Sequence, residues 1–489
     1  MKKQLNIGII LLVCLAMLGA CTKNFEAINT NPNQPTDVPT TNHLGAIIVS
    51  FAGNFAPGTS GTQHANHVGS RLGAGNQSYL STGEEWGDYY SGLTNINKMI
   101  ADAERDGKTN MLAAALTWRA QMTQIATDKW RDMPYSEAAQ AASGIIAPIY
   151  DKQEDIYKAI IADLKKAADL FKTGGTDAIG DGDVLNGGDA TKWRKYCNSL
   201  RLRVAVRISN VDLATATSII NELNGSPADY PVLESNADNI ELMYPGTAPW
   251  EEAFWYWHWC CHHEGAGKLL VDMLNGFNDP RLPIWFSPAT TDGKFRGSEF
   301  VGFVPPFLRD DISDFNHVFI SGNPNYIEGA EEYGVADGIF RYSEILFLKA
   351  EIALRAGVAG AAKSAYEMGI AASMLQYGVN EAAIPAYIAQ PGVAWQNNAS
   401  DLVKIYTQKY IALFLMAQEA CSEARRTDVP VLPLAFNSAY PDHNRAPFRV
   451  PYPQTEAVLN SVNFNQFEGN VKDYFWGQKM WWDVRTGVQ

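Results

Sequence analysis

The chain has 489 residues and a formal net charge of −14, long enough for one large hydrophobic core or two to three domains. Its acidic balance, 53 Asp and Glu against 39 Lys and Arg, and its lack of a basic cluster exclude nucleic acid as a partner. A negative surface helps solubility but names no ligand.

Lys2 and Lys3 open the chain, and the apolar run Ile7 to Leu18 follows. That run is shorter than the roughly 20 residues of a membrane-spanning helix, so it reads as the core of a signal peptide. Leu18-Gly19-Ala20 precedes Cys21 as small residues precede the cysteine of a lipobox. An ordinary secretory signal would carry that cysteine only by chance. Residues 1–20 are therefore expected to be removed and Cys21 to be diacylated, which fixes the protein to a membrane outside the cytoplasm. Each buried acyl CH₂ contributes about 0.8 kcal/mol, so several chains anchor firmly. Loss of Lys2 and Lys3, the only charges in residues 1–20, lowers the net charge by two, to −16. No second apolar run is long enough to span a bilayer, so the body is expected to be soluble. Residues 22–42, rich in Asn, Pro and Thr, complete a lipidated tether over 21–42. One domain, 43–489, is expected to follow.

Helical patterning dominates from there. Apolar residues at Leu112, Leu116, Met122, Ile125 and Ala126 predict a helix over Met111–Trp130. Ile156, Ile160, Leu164, Ala167, Ala168 and Phe171 predict another over Ile156–Phe171. Trp193–Ile208 reads as a third, with Arg201, Arg203 and Arg207 among its apolar positions. Ile339–Ala356 and Ala361–Gln376 predict a helical hairpin punctuated by Gly357. Leu402–Arg426 reads as the longest helix, capped by Ser400 or Asp401 and ending on Arg425-Arg426. Between these lie irregular stretches at 174–189, 225–335 and 427–489. Helix pairs interrupted by long insertions suggest helix–turn–helix repeats, with function carried by the insertions. No clean repeat period is present.

The densest unusual segment is Trp250-Glu-Glu-Ala-Phe-Trp-Tyr-Trp-His-Trp259. If extended, it points Trp255, Trp257 and Trp259 to one face. Trp250, Trp255, Tyr256, Trp257 and Trp259 are the candidate ligand contacts. Flat indoles suit the apolar C–H faces of sugar rings, and they equally suit peptide side chains, a protein partner or plain core packing. Tyr79, Trp86, Tyr89 and Tyr90 form a second aromatic group, better read as core. His258, Cys260, Cys261, His262, His263 and Glu264 fit no zinc spacing, so a metal site is not expected. His64 and His67 read as a polar surface pair. Asp181 to Asp189 fails the calcium-loop pattern at Leu185 and Lys192 and reads as a turn-rich loop.

Cys14 lies in the signal and Cys21 takes lipid, which leaves Cys197, Cys260, Cys261 and Cys421, too few for a disulfide framework in so long a chain. No G-x-S-x-G, H-E-x-x-H or G-x-G-x-x-G occurs. Gly265-Ala-Gly-Lys268 lacks the leading Gly of a phosphate loop, and Leu269 stands where Ser or Thr belongs. No catalytic residue and no cofactor are assigned. A carboxylate pair for glycoside hydrolysis has no fixed spacing, so a lipid-anchored hydrolase stays as an alternative.

Seven short motifs then occur in order behind the lipobox. They are Phe25-Glu-Ala-Ile-Asn-Thr-Asn-Pro-Asn33, the run Gly188-Asp-Ala-Thr-Lys-Trp193 with Asn198-Ser-Leu-Arg-Leu-Arg203 and Arg207, Asn278-Asp-Pro-Arg-Leu282, Arg341-Tyr-Ser-Glu-Ile-Leu-Phe-Leu-Lys-Ala-Glu351, Gly369-Ile-Ala-Ala-Ser373, Gln408-Lys-Tyr-Ile-Ala-Leu413 with Glu419 and Arg425-Arg-Thr427, and Pro451-Tyr-Pro453 with Glu456, Asn460 and Trp481-Trp-Asp483. Together they resemble the SusD/RagB nutrient-binding outer-membrane lipoproteins of Bacteroidetes. The chain departs from that pattern at Ala420-Cys421, where the helix often carries a Trp. The resemblance implies a mostly α fold of four tetratricopeptide-like helix-turn-helix pairs, forming a right-handed superhelical scaffold with long loop-rich insertions. It implies a non-enzymatic lid that rests on a SusC-like TonB-dependent transporter, with the helix pairs facing the transporter and the loops facing the ligand. The ligand is an oligosaccharide, or a peptide as in RagB-like members. The location implied is the outer membrane, lipid-anchored and cell-surface exposed. The motif arginines Arg201, Arg203, Arg207, Arg281, Arg425 and Arg426, with Glu344, Glu351 and Glu419, are expected to be paired scaffold charges, since guanidinium forks suit carboxylates.

Overall fold

The computed structural model describes residues 40–55, 65–70, 83–244, 264–298, 309–316, 335–434, 442–468 and 476–488. In chain order the elements are α1 (Thr40–Phe55), β1 (Val68–Ser70), α2 (Gly83–Arg105), α3 (Thr109–Trp130), α4 (Gln153–Thr173), α5 (Ala190–Ile208), α6 (Leu213–Gly225), β2 (Ile240–Tyr244), β3 (Glu264–Ala266), α7 (Lys268–Gly276), α8 (Leu282–Trp285), β4 (Phe286–Ser287), β5 (Asp314–Phe315), β6 (Val335–Phe340), α9 (Tyr342–Arg355), α10 (Ala359–Gln376), α11 (Ile384–Ile388), α12 (Ser400–Ala412), α13 (Ala417–Thr427), α14 (Gln454–Leu459) and α15 (Ser461–Glu468). No helix among the described residues is long and apolar enough to cross a membrane.

The expected helices follow from local chemistry. In α4 the stripe Ile156, Ile160, Leu164, Ala167, Ala168 and Phe171 is buried, Glu154 and Asp155 sit at the N-terminal end and Lys172 at the C-terminal end. Gly174 then ends the helix at a φ of +76°. The Asp189 carboxylate caps α5 by accepting the backbone N–H of Thr191 and Lys192. Antiparallel pairs α2/α3, α4/α5, α9/α10 and α12/α13 form the scaffold, and Gly357 turns the chain between α9 and α10 at a φ of +75°. Helices α3 and α5 are buried on nearly every side and form the centre of the largest core cluster.

Three expectations are corrected. The span Leu402–Arg426 is two helices, because Leu413 to Met416 break it and Leu415 sits at a φ of +64°. The break frees the carbonyls of Ala412 and Phe414 to accept Arg341 Nη1 at 3.5 and 2.9 Å. Neither Ser400 nor Asp401 is the capping residue itself: Asn398 Oδ1 accepts the Ser400 N–H, while Asp401 reaches back to the N–H groups of Gln396 and Asn398. Ile339 belongs to strand β6, which pairs with β2, and the helix begins only at Tyr342.

Arg203, Arg207 and Arg426 pair with the expected Glu344, Glu419 and Glu351, while Arg201 and Arg281 take Glu222 and Asp279. Arg203 grips Glu344 with two bonds of 2.7 Å, and Arg207 Nη2 donates to both oxygens of Glu419 at 2.6 and 2.7 Å. Arg426 holds Glu351 at 2.9 and 2.7 Å and Glu423 at 2.9 and 2.8 Å. Arg281 reaches Asp279 at 2.9 and 2.6 Å and Ser373 at 2.8 Å, fixing the 278–282 turn to α10. Arg201 pairs with Glu222 of α6. These side chains are buried or nearly so, apart from Glu222. Asp183 serves the 181–189 loop by accepting Leu185, Asn186 and Gly188 N–H and Trp193 Nε1–H, so its carboxylate acts as a staple for a turn-rich segment.

Candidate ligand-binding site

The insertions meet on a small platform of backbone hydrogen bonds. Strands β1 and β3 pair antiparallel, with Val68 opposite Ala266 and Ser70 opposite Glu264. Gly267 then bridges Ser298, and the Ser298 N–H donates to Ala266 O at 2.7 Å. The Ala266 N–H donates to Ser313 O at 3.0 Å, bringing β5 alongside, and β5 pairs with β4 through Phe315 and Phe286. Close approach explains two of the glycines. A Cβ on Gly267 would lie 2.0 Å from Asn66 O, and one on Gly297 would lie 2.4 Å from the Lys268 backbone.

Rings support this platform from below. Trp285 stacks on Phe414 with centroids 4.1 Å apart and meets Tyr377 edge-on at 5.0 Å. Tyr410 Oη donates to Ala65 O at 2.6 Å, and Arg341 Nη1 donates to Tyr377 Oη at 2.6 Å. His67, expected on the surface, is fully buried and packs 4.7 Å from the Tyr410 ring. Burial, with the Arg341 charge adding to it, pushes its imidazole down to about 3, so it stays neutral in the folded protein at ordinary pH. His64 lies outside the described residues.

Several ends of the insertions lie on this platform, and those at Tyr244 and Val335 lie on the separate β2–β6 pair. The Ser70–Glu264 pair places the exit toward 71 beside the arrival from 263. Tyr244 pairs with Val335, so the exit toward 245 lies beside the arrival from 334. The chain leaves for 299 from Ser298, at the bridge to Gly267, and for 317 from Asn316, whose N–H donates to Trp285 O at 2.9 Å. Residues 245–263 hold Trp250, Trp255, Tyr256, Trp257 and Trp259, which lie outside the described residues, as does Cys21. The anchors of their segment are thus placed, at Tyr244 and Glu264. Sequence periodicity does not signal such a platform, because the pairing strands are only two to three residues long; the glycines of Gly265-Ala-Gly267 were its one local trace.

Of the second aromatic group, Trp86 and Tyr89 are buried, Tyr90 is half-buried, and Tyr79 lies outside the described residues. Among the described residues no group of three or more His, Cys, Asp or Glu is placed to hold a metal ion. Cys197 and Cys421 are buried thiols, and burial raises both to about 11, so they are inert as nucleophiles at neutral pH.

Residues 60–453 match the family model SusD-like_2, described as starch-binding associating with outer membrane. The chain belongs to the SusD-like family. Solved structures agree on the fold. A protein described as chitin-binding is 27% identical to this SusD-like chain, with a TM-score of 0.76 covering 91% of this chain and 99% of its own. A SusD homologue from Parabacteroides distasonis is 22% identical with a TM-score of 0.78, covering 92% and 99%. Another from Bacteroides fragilis is 24% identical with a TM-score of 0.75, covering 92% and 100%. The last two likenesses speak for the fold alone. No curated protein sequence matches the chain.

Proposed function

We propose that this SusD-like protein captures oligomeric glycans at the cell surface and delivers them to a SusC-like TonB-dependent transporter, acting without catalysis. The observation that supports the reading is that the chain leaves the β1/β3/β4/β5 platform at Ser70, Ser298 and Asn316 and returns to it at Glu264, so the stretch that carries Trp250–Trp259 in the sequence has one end tied there. A ligand that bridges several insertions gains shape selectivity from a scaffold that does not itself change. Indole faces match the flat, C–H-bearing faces of pyranose rings. The likeness to a chitin-binding protein makes chito-oligosaccharides the first glycans to try.

Calorimetry of the purified protein against a glycan panel headed by chito-oligosaccharides, with peptides of similar length beside them, tests the reading. Trp255→Ala and Trp257→Ala are each expected to weaken binding about tenfold, the value of one ring contact of roughly 1.4 kcal/mol. Binding that survives every Trp substitution would remove the site from this segment, and binding of peptides alone would change the substrate class.

The anchor is tested separately. Cys21→Ser is expected to move the protein from the membrane fraction to the soluble fraction, because no acyl chain is attached. A variant that stays in the membrane fraction would refute lipidation at this position.

A further inference from the structure

The stretch that carries Trp250–Trp259 in the sequence leaves from Tyr244 and returns at Glu264, and these two anchors belong to different parts of the molecule. Tyr244 ends β2, whose pair with β6 packs into the largest core cluster through Ile240, Leu242 and Phe340. Glu264 opens β3 of the platform, whose apolar residues form a second cluster. Arg341 stands between the two. It directly follows β6 and is 4% exposed. Its guanidinium lies against that strand: a Cβ on Gly338 would fall 2.7 Å from Nη2, 2.8 Å from Nε and 2.9 Å from Cζ. Glu241 of β2 lies 3.9 Å from Nε. Toward the platform, Nη1 donates to Tyr377 Oη at 2.6 Å and to Phe414 O at 2.9 Å, with Ala412 O at 3.5 Å. Phe414 is the ring on which the platform rests. It stacks on Trp285 at 4.1 Å and meets Phe286 of β4 at 5.7 Å, Phe315 of β5 at 6.4 Å and His67, next to β1, at 5.8 Å.

We propose that Arg341 is a positioning residue for ligand binding: it ties the β2–β6 pair to the platform and so sets the separation of Tyr244 and Glu264. Its effect on binding rests on the glycan-capture reading given above, whereas the tie itself does not. Arginine suits the task because one planar, permanently charged group can serve several acceptors at once. Two of those acceptors are main-chain carbonyls at the break between α12 and α13. A side-chain acceptor could swing with a moving partner, but a carbonyl is held by the chain trace. The bonds therefore fix a position as well as adding stability. With both anchors held, a ligand that touches the stretch between them meets a geometry already set, and loses less affinity to ordering it.

The test measures the separation directly in the full-length protein. Spin labels are placed by Met243→Cys on β2 and Asp272→Cys on α7, both exposed positions, with Cys260→Ser and Cys261→Ser in the labelled protein and Cys197 and Cys421 left buried. Electron–electron resonance is expected to give one narrow distance without further change. Arg341→Met is expected to broaden it, and in unlabelled protein to weaken chito-oligosaccharide binding about tenfold. Gly338→Ala attacks the tie from the strand side, since its methyl displaces the guanidinium from its acceptors, and is expected to broaden the distance too. It decides alone should Arg341→Met not fold. Arg119→Met, which cuts the Arg119–Asp163 pair between α3 and α4, is expected to lower the melting temperature while leaving distance and affinity unchanged. A distance that stays narrow without the guanidinium overturns the tie. Broadening with wild-type affinity overturns the positioning role, and broadening in Arg119→Met as well overturns the assignment to Arg341. A wild-type protein that binds no glycan overturns the capture reading, and the distances still decide the tie.

Discussion

Arg426→Ala is expected to remove about 3–5 kcal/mol of folding stability, because it leaves two carboxylates buried without their cation. Arg426 is fully buried, and it alone grips both Glu351 and Glu423. Glu423 keeps Lys409 at 2.8 Å, and Glu351 keeps the half-exposed Arg355 at 2.9 Å, so the loss is not total. The pH dependence separates this from a simple packing defect. Burial pushes both carboxyls up, but Arg426 overrides it, and both lie below their usual 4.5, Glu423 far below. In wild type they therefore contribute stability that is fully present above about pH 4.5 and lost as pH falls through their lowered values. In the variant Lys409 and Arg207 still face Glu423 and Arg355 still faces Glu351, but both carboxyls move up from their wild-type values. Less of that stability is then present at neutral pH, while acid removes it from both proteins. The gap between wild type and variant, read from urea unfolding midpoints, should be wide at pH 7 and narrow at pH 4. A gap that is equal at both would show that the guanidinium packs without pairing.

Trp285→Ala is expected to cost about 3–5 kcal/mol, the range for deleting a fully buried indole. The more telling result is coupled. Trp285 carries the Phe414 stack under the platform, and its carbonyl accepts Asn316, where the chain departs toward 317. Ligand affinity should fall together with stability, even though Trp285 is fully buried. Calorimetry at a temperature where the variant remains folded distinguishes the two effects. Wild-type affinity in a folded variant would mean that the rings below do not position the insertions.

How much of this was legible in the sequence depended on whether the signal was local. Helix α4 announces itself through a regular apolar stripe. Helix α5 was legible for a different reason, because arginines among apolar residues make sense once carboxylates elsewhere are in view, and Glu344 and Glu419 supply them. Helix α2 escaped notice, and Gly92 shows why. Glycine weakens the helical pattern, and here the Met122 side chain of α3 packs over the space that a Cβ would take. The break between α12 and α13 was hidden likewise, since Leu415 is a good helix former held at positive φ by tertiary contacts. The platform left almost no trace, because its strands are only two to three residues long and β1 pairs with β3 from far along the chain. The aromatic segment was visible from composition alone, and the structure adds where its two ends are tied.

Those ties also bear on when the protein becomes competent. The Leu269 N–H meets Asn66 Oδ1 across 203 residues, and the Tyr410 hydroxyl meets Ala65 O across 345. Contacts of such span repay their closure entropy only after the intervening segments have condensed. The helix hairpins, with partners a few dozen residues apart, have no such delay. The helix hairpins thus form from near neighbours, but the Tyr410–Ala65 tie waits for α12, more than three hundred residues after β1. The 65–70 segment is thus the last part of the platform to be tied down, and a product truncated before α12 would keep helices without that tie.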